Sequence, residues 1–301
     1  MNTRIAVATN VVNLYASPRT DSAVVSQAVL GESLIAERKD GEFYFVRTND
    51  NYRGWVREKC VVVGVGEIAG WTYRNICLLF AEVYVRPNAA EEIVTRLPLG
   101  ARVAVLAERA NAFQKVMLPD LTEGWVLRFA LQDESDISKA RAQHWAVQSS
   151  RTKTVARIGS DAVAVGKRML GTPYLWGGKT PFGIDCSGFT QLCYRLGGGV
   201  SLLRDASLQF RDERFVPVAE SVSLLDIVNG RPCPFRDGDL LFFGTQDRIT
   251  HVGMVAEGRV MHSAGGQGVV WQAFSQVACA KDYVGARRLS RKTKSLSLVA
   301  A

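Results

Sequence analysis

The chain has 301 residues, room for two or three domains at roughly 100–200 residues each. Hydrophobic residues make up 47% and charged residues 22%, a globular composition, and no apolar run reaches the roughly 18 residues of a membrane-spanning helix. Net charge is +8, from 37 basic and 29 acidic residues. Part of it is Arg287, Arg288, Arg291, Lys292 and Lys294 near the C-terminus. Such a tail could touch nucleic acid or anionic wall polymers, but no aromatic residue interleaves with it, and a solvated end is the plainer reading. The apolar run Ile5–Ala8 is too short for the core of a signal peptide. Six cysteines, at 60, 77, 186, 193, 233 and 279, form no C-x-x-C pair and fit neither zinc nor a disulfide framework. A cytoplasmic protein without metal or organic cofactor is expected, with no nucleic-acid or membrane partner. The oligomeric state is open, with a monomer as the default.

An internal repeat comes first along the chain. Leu14-Tyr15-Ala16-Ser17-Pro18, Leu30-Gly31-Glu32 and Gly54-Trp55-Val56 reappear as Val83-Tyr84-Val85-Arg86-Pro87, Leu99-Gly100-Ala101 and Gly124-Trp125-Val126. The prolines are 69 positions apart, Gly31 and Gly100 also 69, and Gly54 and Gly124 70. Short alternating runs such as Ser33–Glu37, Phe43–Arg47 and Arg102–Leu106 predict small barrels. The repeat resembles bacterial SH3-like domains, placing one all-β barrel at 1–64 and a second at 65–132.

Residues 133–157 are polar and read as a linker, partly helical around Ile137 to Val147. A helix is expected from Ser160, as N-cap, to Leu170, with Gly171 as its stop. A Gly-rich loop follows to Ile184. From Cys186 to Leu196, Phe189, Leu192, Cys193 and Leu196 fall at helical spacing, ended by Gly197-Gly198-Gly199. The last third reads as strands at 239–244, 251–256, 259–262, 268–271 and 283–288. Helices followed by an antiparallel sheet predict an α+β domain at 158–290, ahead of the basic tail 291–301.

Cys186 stands at a helix start, where the dipole and free N–H groups favour a thiolate. His251 and His262 flank Glu257-Gly258, a two-residue hairpin signal. With that turn Ala256 faces Arg259 and Gly253 faces His262. Gly253 shares a face with His251, so the histidines become diagonal neighbours about 7–8 Å apart at Cα. One can act as base for the thiol and the other can orient it. The plainer readings are a core cysteine, as Cys193 is taken to be, and buried histidines that merely satisfy one another. His144, in the linker, receives no role.

Thr172-Pro173-Tyr174-Leu175-Trp176-Gly177-Gly178, Phe182-Gly183-Ile184-Asp185-Cys186-Ser187-Gly188-Phe189, Asp237–Phe243, Ile249–Gly253 and Met261-His262-Ser263 resemble the NlpC-type cysteine peptidases over about residues 158–288. Those are papain-like enzymes of bacterial cell-wall peptides. Two SH3-like domains ahead of such a domain are similar to the gamma-D-glutamyl-diamino-acid endopeptidases. The resemblance implies Cys186 as nucleophile, His251 as base, His262 as its orienting partner and Tyr174 as a hydroxyl near the oxyanion. It implies Asp185 and Ser187 at the α-amine of the peptide's L-Ala, and Tyr52 of the first barrel in the same pocket. Trp176 is a further substrate contact or a core residue. Arg204 and Asp205 stand where relatives read Pro-Arg-Asp, here Leu203-Arg204-Asp205, as ligand contacts or an internal ion pair. An acidic residue of the relatives' first barrel aligns near Ala23, with Asp21 beside it. The expected reaction is hydrolysis of the gamma-D-Glu–diamino acid bond of murein stem peptides with a free N-terminal L-Ala, in recycling or editing of the wall. The alternatives are an acyltransferase or amidase on the same scaffold, or a wall-binding protein with an inactive catalytic fold.

Overall fold

A computed structural model of the protein describes residues 2–64, 71–133, 154–218 and 222–290. The expected helical stretch at 137–147, His144 and the segment 291–301 lie outside them. The chain divides into two compact units, Met1–Arg151 and Thr152–Ala301.

Among the described residues the first unit is β apart from two short 3-10 turns, and it holds two seven-stranded sheets. The first comprises β1 (Thr3–Val7), β2 (Val11–Tyr15), β3 (Val24–Val29), β4 (Ser33–Asp40), β5 (Phe43–Arg47), β6 (Arg53–Arg57) and β7 (Val61–Val63). The second comprises β8 (Thr72–Ile76), β9 (Phe80–Tyr84), β10 (Ile93–Pro98), β11 (Arg102–Ala110), β12 (Phe113–Met117), β13 (Glu123–Leu127) and β14 (Leu131–Asp133). The order β3-β2-β6-β5-β4-β1-β7 recurs as β10-β9-β13-β12-β11-β8-β14. The landmark residues hold equivalent places. Tyr15 pairs with Trp55 in one sheet and Tyr84 with Trp125 in the other. Gly54 and Gly124 recur because a Cβ there would lie 2.9 Å from Leu14 Cβ and 2.4 Å from Val83 Cγ1. One apolar cluster gathers around Leu14, Leu34 and Val46 of the first sheet; the other gathers around Val83, Val103 and Val116 of the second and is joined by Leu30 from the first repeat.

The second unit opens with α1 (Val155–Arg168). It starts ahead of the expected Ser160 because Thr154 is the N-cap, its hydroxyl accepting from the Arg157 N–H at 3.3 Å. Ser160 lies inside the helix and donates to the Ala156 carbonyl, the local alternative open to a mid-helix serine. A two-stranded ribbon, β15 (Lys179–Thr180) and β16 (Gly183–Ile184), leads to α2 (Cys186–Cys193). A single π turn at Tyr194–Gly198 ends α2 short of Leu196.

Every residue of α2 is buried, so the helix has no solvent face. Most of its polar side is met by neighbouring groups, although Gln191 Oε1 makes no hydrogen bond among the described residues. Thr190 Oγ1 donates to Gln209 Oε1 at 2.8 Å, Gln209 Nε2 to the Ser187 carbonyl at 3.0 Å, and Gln191 Nε2 to the Leu202 carbonyl at 2.9 Å. Gln209 belongs to α3 (Ala206–Phe210).

Beyond it come β17 (Phe215–Val218), α4 (Leu224–Val228), β18 (Leu240–Gly244), β19 (Ile249–Ala256), β20 (Arg259–Ala264), β21 (Gly268–Gln272) and β22 (Tyr283–Leu289). The antiparallel order is β17-β22-β18-β19-β20-β21, giving helices plus one sheet, an α+β unit. β17 contains Pro217, which an edge strand tolerates because one row of its N–H groups needs no partner. Arg287 and Arg288 lie in β22, the strand expected at 283–288, so their charge belongs to the sheet and not to a free tail. Arg288 makes a two-pronged pair with Asp239 at 2.7 and 2.6 Å, and Arg287 covers the Phe210 ring.

Candidate active site

α2 packs against β19 and β20, the strands that carry His251 and His262, and the Val252 N–H lies at the Cys186 thiol. The β19–β20 hairpin has the expected register, with Ala256 opposite Arg259 and Met254 opposite Met261. Glu257 and Gly258 both have positive φ, +49° and +71°, as a tight two-residue turn with right-handed strands demands. His251 Nε2 and His262 Nδ1 are therefore 2.7 Å apart. Gly253 lies between them in the pleat. A Cβ there would meet Val260 Cγ1 at 2.9 Å and His262 Cβ at 3.2 Å, so the histidine pair needs a glycine at this position.

The next strand adds Gln272, which sequence reasoning missed. His262 pairs with Val270 across β20–β21, and Gln272 is two residues further on the same face. Its amide nitrogen is 3.0 Å from His262 Nε2. His251, His262 and Gln272 thus run diagonally across three adjacent strands. The signal was present only through the β20–β21 register, and Gly265-Gly266-Gln267 carries no two-residue turn that fixes it.

Asp185 is the N-cap of α2, as its position before the helix suggests. Its Oδ1 accepts from the Gly188 N–H at 2.6 Å, from Ser187 Oγ at 3.2 Å and from Arg204 Nη1 at 3.1 Å. Its Oδ2 accepts from the Gly177 N–H at 3.0 Å and from Arg204 Nη2 at 2.6 Å. Five protein donors already meet the about four lone-pair sites of a carboxylate. An incoming ammonium would have to displace one of them, which argues against the expected role of Asp185 at the substrate amine. Ser187 is drawn into the same cluster, accepting from Arg204 Nη1 at 3.0 Å. Arg204 is 1% exposed, so direct ligand contact by its guanidinium is also corrected: it serves Asp185 from inside the core. Asp205 stands at the N-cap of α3, half-buried, and its side chain makes no capping bond.

Tyr174 reaches the same place through a parallel bridge to Ile184, and Ser263 Oγ ties β20 to that segment by donating to the Ile184 carbonyl at 2.7 Å. Trp176 is 68% exposed, with Leu175 and Phe182 exposed beside it in sequence, so core packing is not its role. Tyr52 lies in the first unit just before β6, its backbone held by Thr48. Asp21 is exposed and paired with Arg19. Cys193 is wholly buried, and burial pushes its thiol up.

Electrostatics reverse one expectation. Burial, with Asp185 adding to it, pushes the Cys186 thiol up to about 12, and the N–H groups of Val252 and Ser187 oppose this only in part. Burial, then the His262 ring, takes His251 down to about 3, with Asp185 opposing, and burial takes His262 down to about 4. The protein thus favours a neutral thiol beside a neutral imidazole over a preformed thiolate, because desolvation penalises both charges. Burial, then the neighbouring Cys186 and Asp185, holds the Tyr174 phenol protonated, up to about 12. A protonated phenol and the first-turn N–H groups of α2 are donors suited to a developing oxyanion.

The NlpC/P60 family model matches residues 171–288, the stretch that carries all of this geometry. A probable endopeptidase NlpC homolog of Haemophilus influenzae is 30% identical over 139 residues, 46% of this chain and 67% of that protein. The chain belongs to the NlpC/P60 family. Residues 14–60 of this NlpC/P60 protein match the bacterial dipeptidyl-peptidase SH3 domain, so an SH3 domain lies in its all-β region. A gamma-D-glutamyl-L-lysine dipeptidyl-peptidase of Bacillus cereus is 25% identical over 279 residues, 87% of this chain and 74% of that one. A protein of the same name from Bacillus subtilis is 28% identical over 265 residues, 81% and 73%. A solved NlpC/P60 structure from Bacillus cereus shares the fold, with a TM-score of 0.73 over 95% of this chain and 99% of that one, at 21% identity.

Proposed function

We propose that the protein is a cysteine peptidase that hydrolyses the gamma-D-Glu–diamino acid bond of murein stem peptides bearing a free N-terminal L-Ala. The observation that carries this reading is Cys186 at the start of a buried helix packed on β19 and β20, whose two histidines lie 2.7 Å apart. Likeness to two gamma-D-glutamyl-L-lysine dipeptidyl-peptidases over most of the chain supports the choice of bond. The second seven-stranded sheet, with the strand order of the first, is proposed as a second SH3-like barrel.

His251 uses Nε2 toward His262, which leaves Nδ1 as the nitrogen for the thiol. Sγ of Cys186 attacks the gamma-carbonyl carbon of D-Glu as the thiol proton passes to His251 Nδ1. The oxyanion forms against donors supplied by Tyr174 and the first turn of α2. Collapse breaks the C–N bond, and His251 returns its proton to the leaving amine of the diamino acid. Water then hydrolyses the thioester and releases L-Ala-gamma-D-Glu. Asp185, whose oxygens are already occupied, would have to give up one of its donors to take the substrate's ammonium. A free L-Ala amine exists only once the stem has left the glycan, so recycling or editing of released peptides in the cytoplasm is the proposed setting.

The test is mass spectrometry of digests of L-Ala-gamma-D-Glu-L-Lys and its meso-diaminopimelate counterpart, each free and N-acetylated. Release of L-Ala-gamma-D-Glu from the free peptides, at least about tenfold faster than from the blocked ones, is expected. Loss of one charge-assisted contact, about 1.5–3 kcal/mol, corresponds to that factor or more. No dipeptide from any of the four, with a folded protein, would overturn the reading.

A further inference from the structure

The two histidines and Gln272 form an array whose hydrogens run in one direction or the other. His251 Nε2 faces His262 Nδ1 at 2.7 Å, and His262 Nε2 faces the Gln272 amide at 3.0 Å. A neutral imidazole carries one hydrogen, and the bond made by one nitrogen fixes the state of the other. If Gln272 donates its N–H to His262 Nε2, His262 holds its hydrogen on Nδ1 and donates to His251 Nε2. His251 then holds its hydrogen on Nδ1, the nitrogen left for the thiol, and cannot act as base. If Gln272 instead accepts through Oε1, each hydrogen moves to Nε2 and His251 Nδ1 carries a lone pair. The imidazolium formed after proton transfer needs the same direction, since it must donate from Nε2 as well. An amide serves either direction, because half a turn about its last torsion exchanges nitrogen and oxygen.

We propose that Gln272 is a positioning residue of this site, which sets the tautomers of His262 and His251 by presenting its carbonyl oxygen to His262 Nε2. This rests on the peptidase reading only for its effect on turnover. The array itself is a property of three strands of one sheet. Gln272 acts wholly through His262, not on Cys186 or the substrate.

The experiment uses full-length protein labelled with 15N-histidine, which has three histidines to assign. Nitrogen shifts near neutral pH are expected to report a lone pair on Nδ1 and a hydrogen on Nε2 in both His251 and His262. Hydrogen on Nδ1 of His251 in the native protein overturns the proposal without any variant. Gln272→Leu should lose the uniform tautomer signature, lower kcat on the free tripeptide about tenfold and leave KM within about twofold. Gln272→Glu, whose carboxylate can only accept, should restore the signature and kcat to within about threefold, and move the acid limb of the pH profile upward. A Leu variant with native kcat, or a Glu variant as impaired as Leu despite a native fold, overturns it. The expected tautomers in a protein that cleaves no peptide would sink the peptidase reading and leave this one standing.

Discussion

Arg204→Met tests the most exacting feature of the site, a guanidinium buried beneath the nucleophile's helix. The Arg204 and Asp185 side chains are 1% and 10% exposed, and two hydrogen bonds join them. Methionine keeps much of the volume but leaves Asp185 with only the Gly177 and Gly188 N–H groups and the Ser187 hydroxyl. Removing one partner of a buried pair costs about 3–5 kcal/mol, because the other charge remains in a desolvated place. In a unit of this size 1 kcal/mol corresponds to roughly 2–4 °C of melting temperature. Scanning calorimetry of the full chain should therefore show the second unit's transition fall by about 6–20 °C, with that of the first unit unmoved. Asp185→Asn in the same chain should return part of the loss, and the double-mutant cycle should give a coupling of at least about 1 kcal/mol. A fall of under about 3 °C, or additive single variants, would mean that Asp185 does not depend on Arg204.

Cys186→Ala should abolish dipeptide release while leaving the melting temperature nearly unchanged. Cys193→Ala should keep turnover but lose about 1 kcal/mol of stability, since the thiol fills wholly buried space; the reverse pattern would reassign the nucleophile. Gly253→Ala should lower kcat at least about tenfold with the fold retained, because the added methyl presses on Val260 and His262; a native rate would show that the histidine pair tolerates displacement. With His251 lowered to about 3 and His262 to about 4, the neutral base persists into mildly acid solution, so kcat/KM should hold to about pH 5 and fall below it. An unfolded histidine titrates near 6.5. Between that pH and the folded values the unfolded chain binds more protons, so stability also declines as pH falls. Brief assays followed by return to pH 7 separate the two effects, and a reversible midpoint near 6.5 would contradict the burial of the pair.

What could be read from the sequence was whatever short-range chemistry fixes. Glu257-Gly258 determines a turn, the turn determines a register, and the register places two histidines together. Likewise Gly54-Trp55-Val56 and Gly124-Trp125-Val126 mark equivalent strands because each glycine must admit a neighbouring side chain. The misses are long-range. Nothing local to Arg204 says that its partner is Asp185, and nothing local to Gln272 aligns it with His262. Ser187, Thr190 and Gln191 give α2 a polar side, yet Gln209 and the Leu202 carbonyl meet most of it within the core. The thiolate expectation used the helix start and omitted desolvation, which burial supplies in full.

The turn at Glu257-Gly258 has a consequence for how this protein can vary. Surface loops ordinarily absorb gains and losses of residues at little cost, since closing a slightly longer loop changes the entropy by only tenths of a kcal/mol. Here one extra residue would turn the imidazole of His262 from one side of the sheet to the other. The strands could still form and bury an apolar core, so such a variant would survive a screen for folding and fail one for turnover. In a library that samples lengths as well as identities, this exposed corner should accept Asn, Asp or Gly at Glu257, where φ is positive, while rejecting insertions and deletions. That makes it a boundary for recombination with relatives whose hairpins differ by a residue.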